Sequence, residues 1–331
     1  METTLGETNA LKLLYLPLGD QPGLETAFSQ VFHRTDIFYY LNYTPFDVIE
    51  PLLREVDNFV PDILHIQATD HVSPSTIGII RKRFPKLIIT QWLGDQRKSV
   101  IDYVVEHGRQ LDLTLISNTG QLDDYRNAGC QRVDYWQHAA NREIDFVDNP
   151  LPWEERQNGI VFCGHNYGEN TFPASKERID LCRALTEAFP DFRVYGRGWE
   201  GMGVRQGTPS EIPWYEQAKV YHKAKITVGI GHVNDIACGV SDRPFIAMAA
   251  GTCHFSRRVP GMEDYFRNGS HWVLWDKIEE CVDMIKWILP VEGLRSQIGE
   301  RGREEVLKNH TWDTRVQEYI GLLKKHFLWS K

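Results

Sequence analysis

The chain has 331 residues, 42% of them hydrophobic and 25% charged, a length that points to two domains of about 150 residues each. The net charge of −8 is carried by residues 1–150, where 21 Asp+Glu outweigh 13 Lys+Arg, while the remainder is balanced. An acidic first half argues against a broad electrostatic grip on nucleic acid or an anionic membrane, and no apolar run reaches the roughly 18–20 residues of a membrane-spanning helix. The N-terminal apolar stretch, Leu11 to Leu18, is short and follows Glu2 and Glu7 instead of a basic region. It does not read as a secretory leader, and a cytoplasmic protein is expected. The six cysteines, Cys130, Cys163, Cys182, Cys238, Cys253 and Cys281, lack zinc-knuckle or redox spacing, so reduced, structural thiols are expected.

In chain order, Leu11–Pro17 reads as a buried strand that enters a turn-rich loop, Leu18 to Gly23, and an amphipathic helix over Leu24–Phe32. Ile37–Leu41 is a candidate second strand and Val48–Phe59 a helix. Ile63–Gln67 is a strand, Pro74–Phe84 a helix with proline at its start, and Leu87–Trp92 a strand running into Gly94-Asp95. A helix near Val100–His107, a strand at Leu113–Ser117, a helix at Leu122–Ala128 and a short strand within Gly129–Trp136 follow, ending at His138. Such alternation predicts parallel βαβ units, with ligands at the carboxyl ends of the strands. Residues 146–157, with two prolines and several charges, break the pattern and read as a linker.

A second alternation follows. Strands are expected at Gly159–Cys163, Phe192–Tyr195, Ile226–Ile230, Thr252–Ser256 and Trp272–Leu274, and helices at Ser175–Ala188, Pro213–Ala224, Pro244–Ala250, Ile278–Leu289, Leu294–Asn309 and Asp313–Phe327. Two α/β domains in tandem suit dehydrogenases, periplasmic-type binding proteins and GT-B transferases alike. The dinucleotide fingerprint Gly-x-Gly-x-x-Gly is absent: the candidate loops offer only Gly19 and Gly23, or Gly164 and Gly168. The Walker A pattern is absent too.

The discriminating stretch is Ser241-Asp242-Arg243-Pro244 leading into a small-residue helix that stops at Gly251, followed by Gly261-Met262-Glu263-Asp264-Tyr265-Phe266. A polar loop feeding a helix N-terminus with an arginine beside it suits a diphosphate. This stretch resembles the donor-site region of the CgeB-like (spore-maturation-protein-like) glycosyltransferases, relatives of the group 1 family. Val194–Trp199, Ile160–Gly164 and Asn309–Arg315 resemble further pieces of that pattern, so the likeness covers about residues 155–320. It implies an α/β, GT-B architecture of two Rossmann-like domains facing a central cleft: residues 1–147 on the acceptor side, a linker at 148–157, a donor domain at 158–312, and a C-terminal helix, 313–331, packing back across the linker. It also implies a metal-independent, mostly retaining transfer from a nucleotide-diphosphate sugar, with UDP- and GDP-sugars favoured and no bound cofactor.

On that resemblance, Gly164, His165, Arg197, Gly198, Ser241, Asp242, Arg243 and Glu263 are the donor-binding candidates. Gly19 lies where acceptor and donor approach, and Asp95 or His138 would act as base if the enzyme inverts. Plain alternatives stand beside them: Asp242 and Asp95 as helix caps, Gly19 as a turn glycine, and Arg243 paired with Asp242 or Asp235. His65, Asp70 and His71 lack a suitably spaced further ligand, and no metal site is expected. One departure is clear: the families place a ribose-binding Glu where this chain has Ile246, which cannot accept a hydrogen bond. Asp242, one turn earlier, could take that role. The acceptor is open: a glycan, a small molecule, a protein side chain or a hydroxylated DNA base. A non-catalytic nucleotide-sugar or carbohydrate-binding protein is the alternative.

Overall fold

A computed structural model describes residues 4–5, 10–19, 21–67, 70–147 and 151–329. The chain divides into two compact units, Met1–Gln137 with Trp312–Lys331, and His138–Thr311. Of the run read as a linker, residues 148–150 lie outside the described residues.

The first unit is built on six parallel strands: β2 (Lys12–Leu16), β3 (Arg34–Ile37), β4 (Ile63–Gln67), β5 (Ile88–Leu93), β6 (Leu113–Ile116) and β7 (Val133–Tyr135), in the order β3-β2-β4-β5-β6-β7. Every residue of β4, β5 and β6 is buried, as a parallel sheet covered on both faces requires. The connecting helices are α1 (Pro22–Val31), α2 (Ile49–Phe59), α3 (Pro74–Arg83), α4 (Asp102–Gly108) and α5 (Leu122–Asn127). Prolines open α1 and α3, where a missing N–H is harmless, and Ser73 caps α3 by accepting from Thr76 N at 3.2 Å. A two-stranded parallel pair, β1 (Thr4–Leu5) with β13 (Leu328–Trp329), joins the two ends of the chain.

The final helix, α11 (Trp312–His326), packs beside α1 in this unit. It is fixed there by aromatic rings. Trp136 lies 5.5 Å from Tyr319 and 5.1 Å from Trp92, with Trp312 at 5.6 Å from Trp92. The polar edges are satisfied inside the cluster: Trp136 Nε1 donates to Arg315 O at 2.7 Å and Trp92 Nε1 to Trp136 O at 3.0 Å. At its far end Lys325 and His326 both reach Asp134, at 2.6 and 2.8 Å.

The second unit holds five parallel strands, β8 (Asn158–Cys163), β9 (Phe192–Tyr195), β10 (Ala224–Gly229), β11 (Cys253–Arg257) and β12 (Val273–Trp275), ordered β12-β11-β10-β8-β9. Helices α6 (Ser175–Ala188), α7 (Gln217–His222), α8 (Arg243–Ala249), α9 (Ile278–Ile288) and α10 (Glu292–Asn309) cover it. The connection from β9 passes back over β8 to reach β10. Strand order therefore reverses between β8 and β10, the place where open α/β sheets bind ligands.

Two expected elements differ. The strand expected at Ile37–Leu41 is β3, Arg34–Ile37, and Tyr40–Asn42 is a 3-10 turn. As an edge strand with no fully buried residue, β3 carries Arg34 and Asp36, and a search for apolar runs passes over it. The helix expected over Pro213–Ala224 is a 3-10 turn at Trp214–Glu216 and a short α7, because Ala224 already pairs with Asn158 as the first residue of β10. All six cysteines are buried and none forms a disulfide.

Trp136→Ala should lower the urea midpoint of the first unit, with a loss of about 3–5 kcal/mol for an aromatic truncation in a core; far-UV circular dichroism along a urea titration measures it.

Candidate active site

A pocket of about 270 Å³ opens at the reversal between β8 and β10. Residues ending β8 (Cys163, Gly164, His165), ending β9 (Tyr195, Gly196) and following β10 (His232) form its floor and wall, with Arg178 from α6 and Asp242 and Arg243 at the start of α8. Tyr167 and Trp214, both about half exposed, stand on its rim.

Two glycine-bearing loops bring the backbone close together. Gly164 N donates to Tyr195 O at 2.8 Å and Asn166 N to Arg197 O at 2.9 Å, extending the pairing of β8 with β9 beyond the strands. A side chain at Gly196 would put its Cβ 2.3 Å from Gly164 O, and one at Gly198 would meet Asn166 O at 2.1 Å. At Gly164 the obstacle is Arg178 Nη2, 2.0 Å from the position a Cβ would take. Gly164 thus leaves room for a guanidinium beneath the loop.

Arg178 is the residue around which the pocket is arranged. Its side chain is buried, and its Nε and Nη2 have no hydrogen-bond partner. Nη1 rests 3.4 Å from the His232 ring nitrogens and the guanidinium stacks 5.0 Å from the Phe162 ring. Among the described residues no carboxylate pairs with it. Burial, and then the charge of Arg243, push its pKa down to about 9. Two guanidinium groups thus share one pocket, and a buried charge without a counterion is costly. Arg243 forms none of the ion pairs with Asp242 or Asp235 that its sequence neighbours offer; among the described residues it has no hydrogen-bond partner.

The sequence-derived candidates separate. Gly164, His165, Asp242 and Arg243 line the pocket, and Ser241 lines a smaller adjoining one that shares Arg243. His165 Nδ1 accepts from Arg197 N at 2.9 Å, and burial lowers its pKa, with Arg197 adding to the effect. Gly198 supports the loop instead of lining the pocket. The Arg197 side chain is exposed, pairs with Glu211 at 3.2 Å, and does not line the pocket. Glu263 is held by Arg258 and likewise stands outside it. Asp242 makes no capping hydrogen bond, so its carboxylate is not used as a helix cap. Helix α8 is only seven residues long with Pro244 in its first turn, which reduces the N–H groups available to an anion. Ile246 is buried in an apolar cluster with Val161, Cys163 and Tyr221.

In the first unit, Gly19 follows β2 with φ +84° and open space around it, a turn geometry that favours glycine. The Asp95 side chain is largely exposed and pairs with Arg97 at 3.2 Å. His138 lies three residues beyond β7, half-buried, in the second unit. Among the described residues no three His, Cys, Asp or Glu side chains are placed to hold a metal, and no helix is long and apolar enough to cross a membrane.

Sequence reasoning passed over Arg178 and Asp145. The signal for Arg178 was a lone arginine in the first turns of the helix after Gly164, indistinguishable by pattern from a surface residue. Asp145 is buried and accepts from Asn141 N at 2.7 Å. Burial, opposed by that hydrogen bond and aided by the charge of Asp242, raises its pKa to about 7.

Residues 177–321 match the family of glycosyl transferase-like domains. No curated protein matches the chain. Solved structures share its architecture: a glycosyltransferase from Rickettsia africae (10% identity, TM-score 0.66, covering 96% of this chain and 99% of that one), Anabaena Alr3699/HepE in complex with UDP and glucose (10%, 0.65, 95% and 100%), and sucrose-phosphate synthase from Thermosynechococcus elongatus (11%, 0.64, 95% and 98%). The fold is GT-B: two parallel α/β sheets with alternating helices. Family match and fold together support a transferase.

Two outcomes test this geometry. Gly196→Ala should destabilise the second unit by about 1–3 kcal/mol, since the obstacle is backbone and cannot rotate away; thermal melting reads this. The carboxyl of Asp145 titrates higher when folded than unfolded, so stability falls as pH rises from about 4 to 7, by about 1.4 kcal/mol per pH unit. Asp145→Asn should remove that decline, leaving the variant more stable than the parent at pH 8 and not at pH 4, as measured by urea melts at each pH.

Proposed function

We propose that the chain is a glycosyltransferase that takes its sugar from a nucleotide-diphosphate donor bound in the second unit. The observation that carries this reading is the buried Arg178 guanidinium, without a counterion, opening on the same pocket as Arg243. Such a pair is matched by a diphosphate, whose oxygens accept forked N–H donors. In transfer the anomeric C–O bond breaks through an oxocarbenium-like state and negative charge grows on the leaving diphosphate; preorganised cations in a dry site stabilise that charge. Arg178 is well suited, being fixed by packing before any ligand arrives. The half-exposed Trp214 offers a face for the nucleobase, and Asp242 offers the ribose the acceptor that Ile246 cannot.

UDP- and GDP-sugars are the favoured donors; the Anabaena protein of the same fold was solved with UDP and glucose. The finer kinship with CgeB-like enzymes, a retaining course and independence from metal are part of this proposal and rest on the motifs around Arg243 and Gly261. A second reading, a non-catalytic nucleotide-sugar-binding protein, is favoured by one observation, the burial of Ile246 in apolar surroundings at the usual position of the ribose-binding carboxylate.

The test is a thermal-shift and donor-hydrolysis panel of UDP-, GDP-, dTDP- and ADP-sugars. A donor at about 100 times its Kd should stabilise the protein by about 2.7 kcal/mol. Arg178→Met should melt at a higher temperature than the parent without ligand, because it removes an uncompensated buried charge, and should lose the shift with ligand. Arg243→Ala should lose the shift as well. Binding without hydrolysis or transfer to any acceptor would favour the second reading, and no response to any of the four nucleotides would overturn both.

A further inference from the structure

Behind Arg243 lies a chain of buried hydroxyls that ends on a histidine. Thr252 Oγ1 donates to Ala247 O at 2.9 Å. Thr227 Oγ1 lies 3.0 Å from Thr252 Oγ1 and 2.9 Å from His254 Nδ1. All three side chains are buried. A hydroxyl has one proton to give. Thr252 spends its proton on the α8 carbonyl, so Thr227 donates to Thr252. The bond between Thr227 and His254 must then be supplied by Nδ1–H. His254 is neutral, its pKa lowered to about 3 by burial and then by Arg243, so Nε2 carries a bare lone pair.

That Nε2 is buried without a partner. It lies against Gly229, where a Cβ would sit 3.1 Å from Nε2 and 2.9 Å from Cε1. No positive φ requires glycine at 229; the ring needs the space. Gly229 and Arg243 line the same small cavity of about 20 Å³, next to the larger pocket. We propose that His254 is a positioning residue for Arg243: Nε2 and the Arg243 guanidinium both lack a hydrogen-bond partner among the described residues, and when an anion binds, the guanidinium turns across the cavity beside Gly229 to donate one N–H to Nε2 and aim its remaining donors at the anion. The opposite tautomer would turn an N–H toward a cation. Hydroxyl order and the charge of Arg243 therefore select the same form. The inference rests on the reading that Arg243 holds the diphosphate.

Two measurements decide it. In 15N-histidine spectra of the whole protein near neutral pH, His254 should show the Nδ1–H tautomer, and its Nε2 resonance should move in Arg243→Ala. An Nε2–H tautomer, or an Nε2 resonance indifferent to Arg243→Ala, overturns the inference whether or not any nucleotide binds. The second measurement is a double-mutant cycle on UDP affinity by calorimetry. His254→Leu should weaken UDP about tenfold in the parent and leave it unchanged in the Arg243→Ala background. His254→Gln, which keeps an acceptor near the Nε2 position, should recover most of the affinity, and Thr227→Val, which removes one of the two constraints on the tautomer, should weaken UDP less than His254→Leu does. Equal losses from His254→Leu in both backgrounds would mark a merely structural histidine. If UDP and the other nucleotides fail to bind the parent, the proposed function falls while the spectra still decide the tautomer and its link to Arg243.

Discussion

The candidate site of the second unit is organised around the buried positive charge of Arg178, with Arg156 and Arg295 one of three arginines buried among that unit's described residues. Even with its pKa lowered to about 9, Arg178 is mostly protonated near neutral pH, and its burial without a carboxylate among the described residues is unfavourable for the unliganded fold. Its surroundings explain the local sequence. Gly164 is glycine because the guanidinium occupies the space of a Cβ. Phe162 and His232 give it flat faces that tolerate a cation. The reversal of strand order between β8 and β10 leaves a crevice at the carboxyl ends of these central strands, and Arg178 lines the pocket there. A group held this way is useful to an anion because, among the described residues, no carboxylate competes for it.

The fold was legible because parallel sheets announce themselves as short apolar runs separated by helix-length segments. All of β4, β5 and β8 could be read that way. The failures were physical, not random. β3 sits at an edge and is only half-covered, so its residues are not chosen for apolarity. The stretch before β10 has helix-like spacing, yet strand pairing of Ala224 with Asn158 claims its last residues.

The site was legible only where side-chain identity alone implies chemistry. Ser241-Asp242-Arg243, singled out from its place before a small-residue helix, lines the pocket and its smaller neighbour, and Gly164, His165, Arg197 and Gly198 all lie in the loops that build the pocket or brace it, though the Arg197 side chain does not line it. Arg197 and Arg178 show the limit. Both are arginines beside glycine-bearing loops. One is exposed and satisfied by Glu211, the other buried and unsatisfied. That difference is made by tertiary packing, which spacing along the chain does not encode. Asp145 and His254 were passed over for the same reason: burial in the folded interior, which spacing along the chain does not show, sets the state of both.

The membership of α11 in the first unit bears on how the molecule is made. Tyr319 and Trp312 complete a ring cluster with Trp92 and Trp136, and Arg315 supplies the carbonyl that satisfies Trp136. During synthesis, strands β2 to β7 leave the ribosome long before these partners exist. Residues 138–311 form a continuous unit and can close their own core first. Where an N-terminal domain usually has all its parts before its successor is made, the first unit here has its complete aromatic cluster only once α11, which follows residues 138–311 in the chain, has been translated.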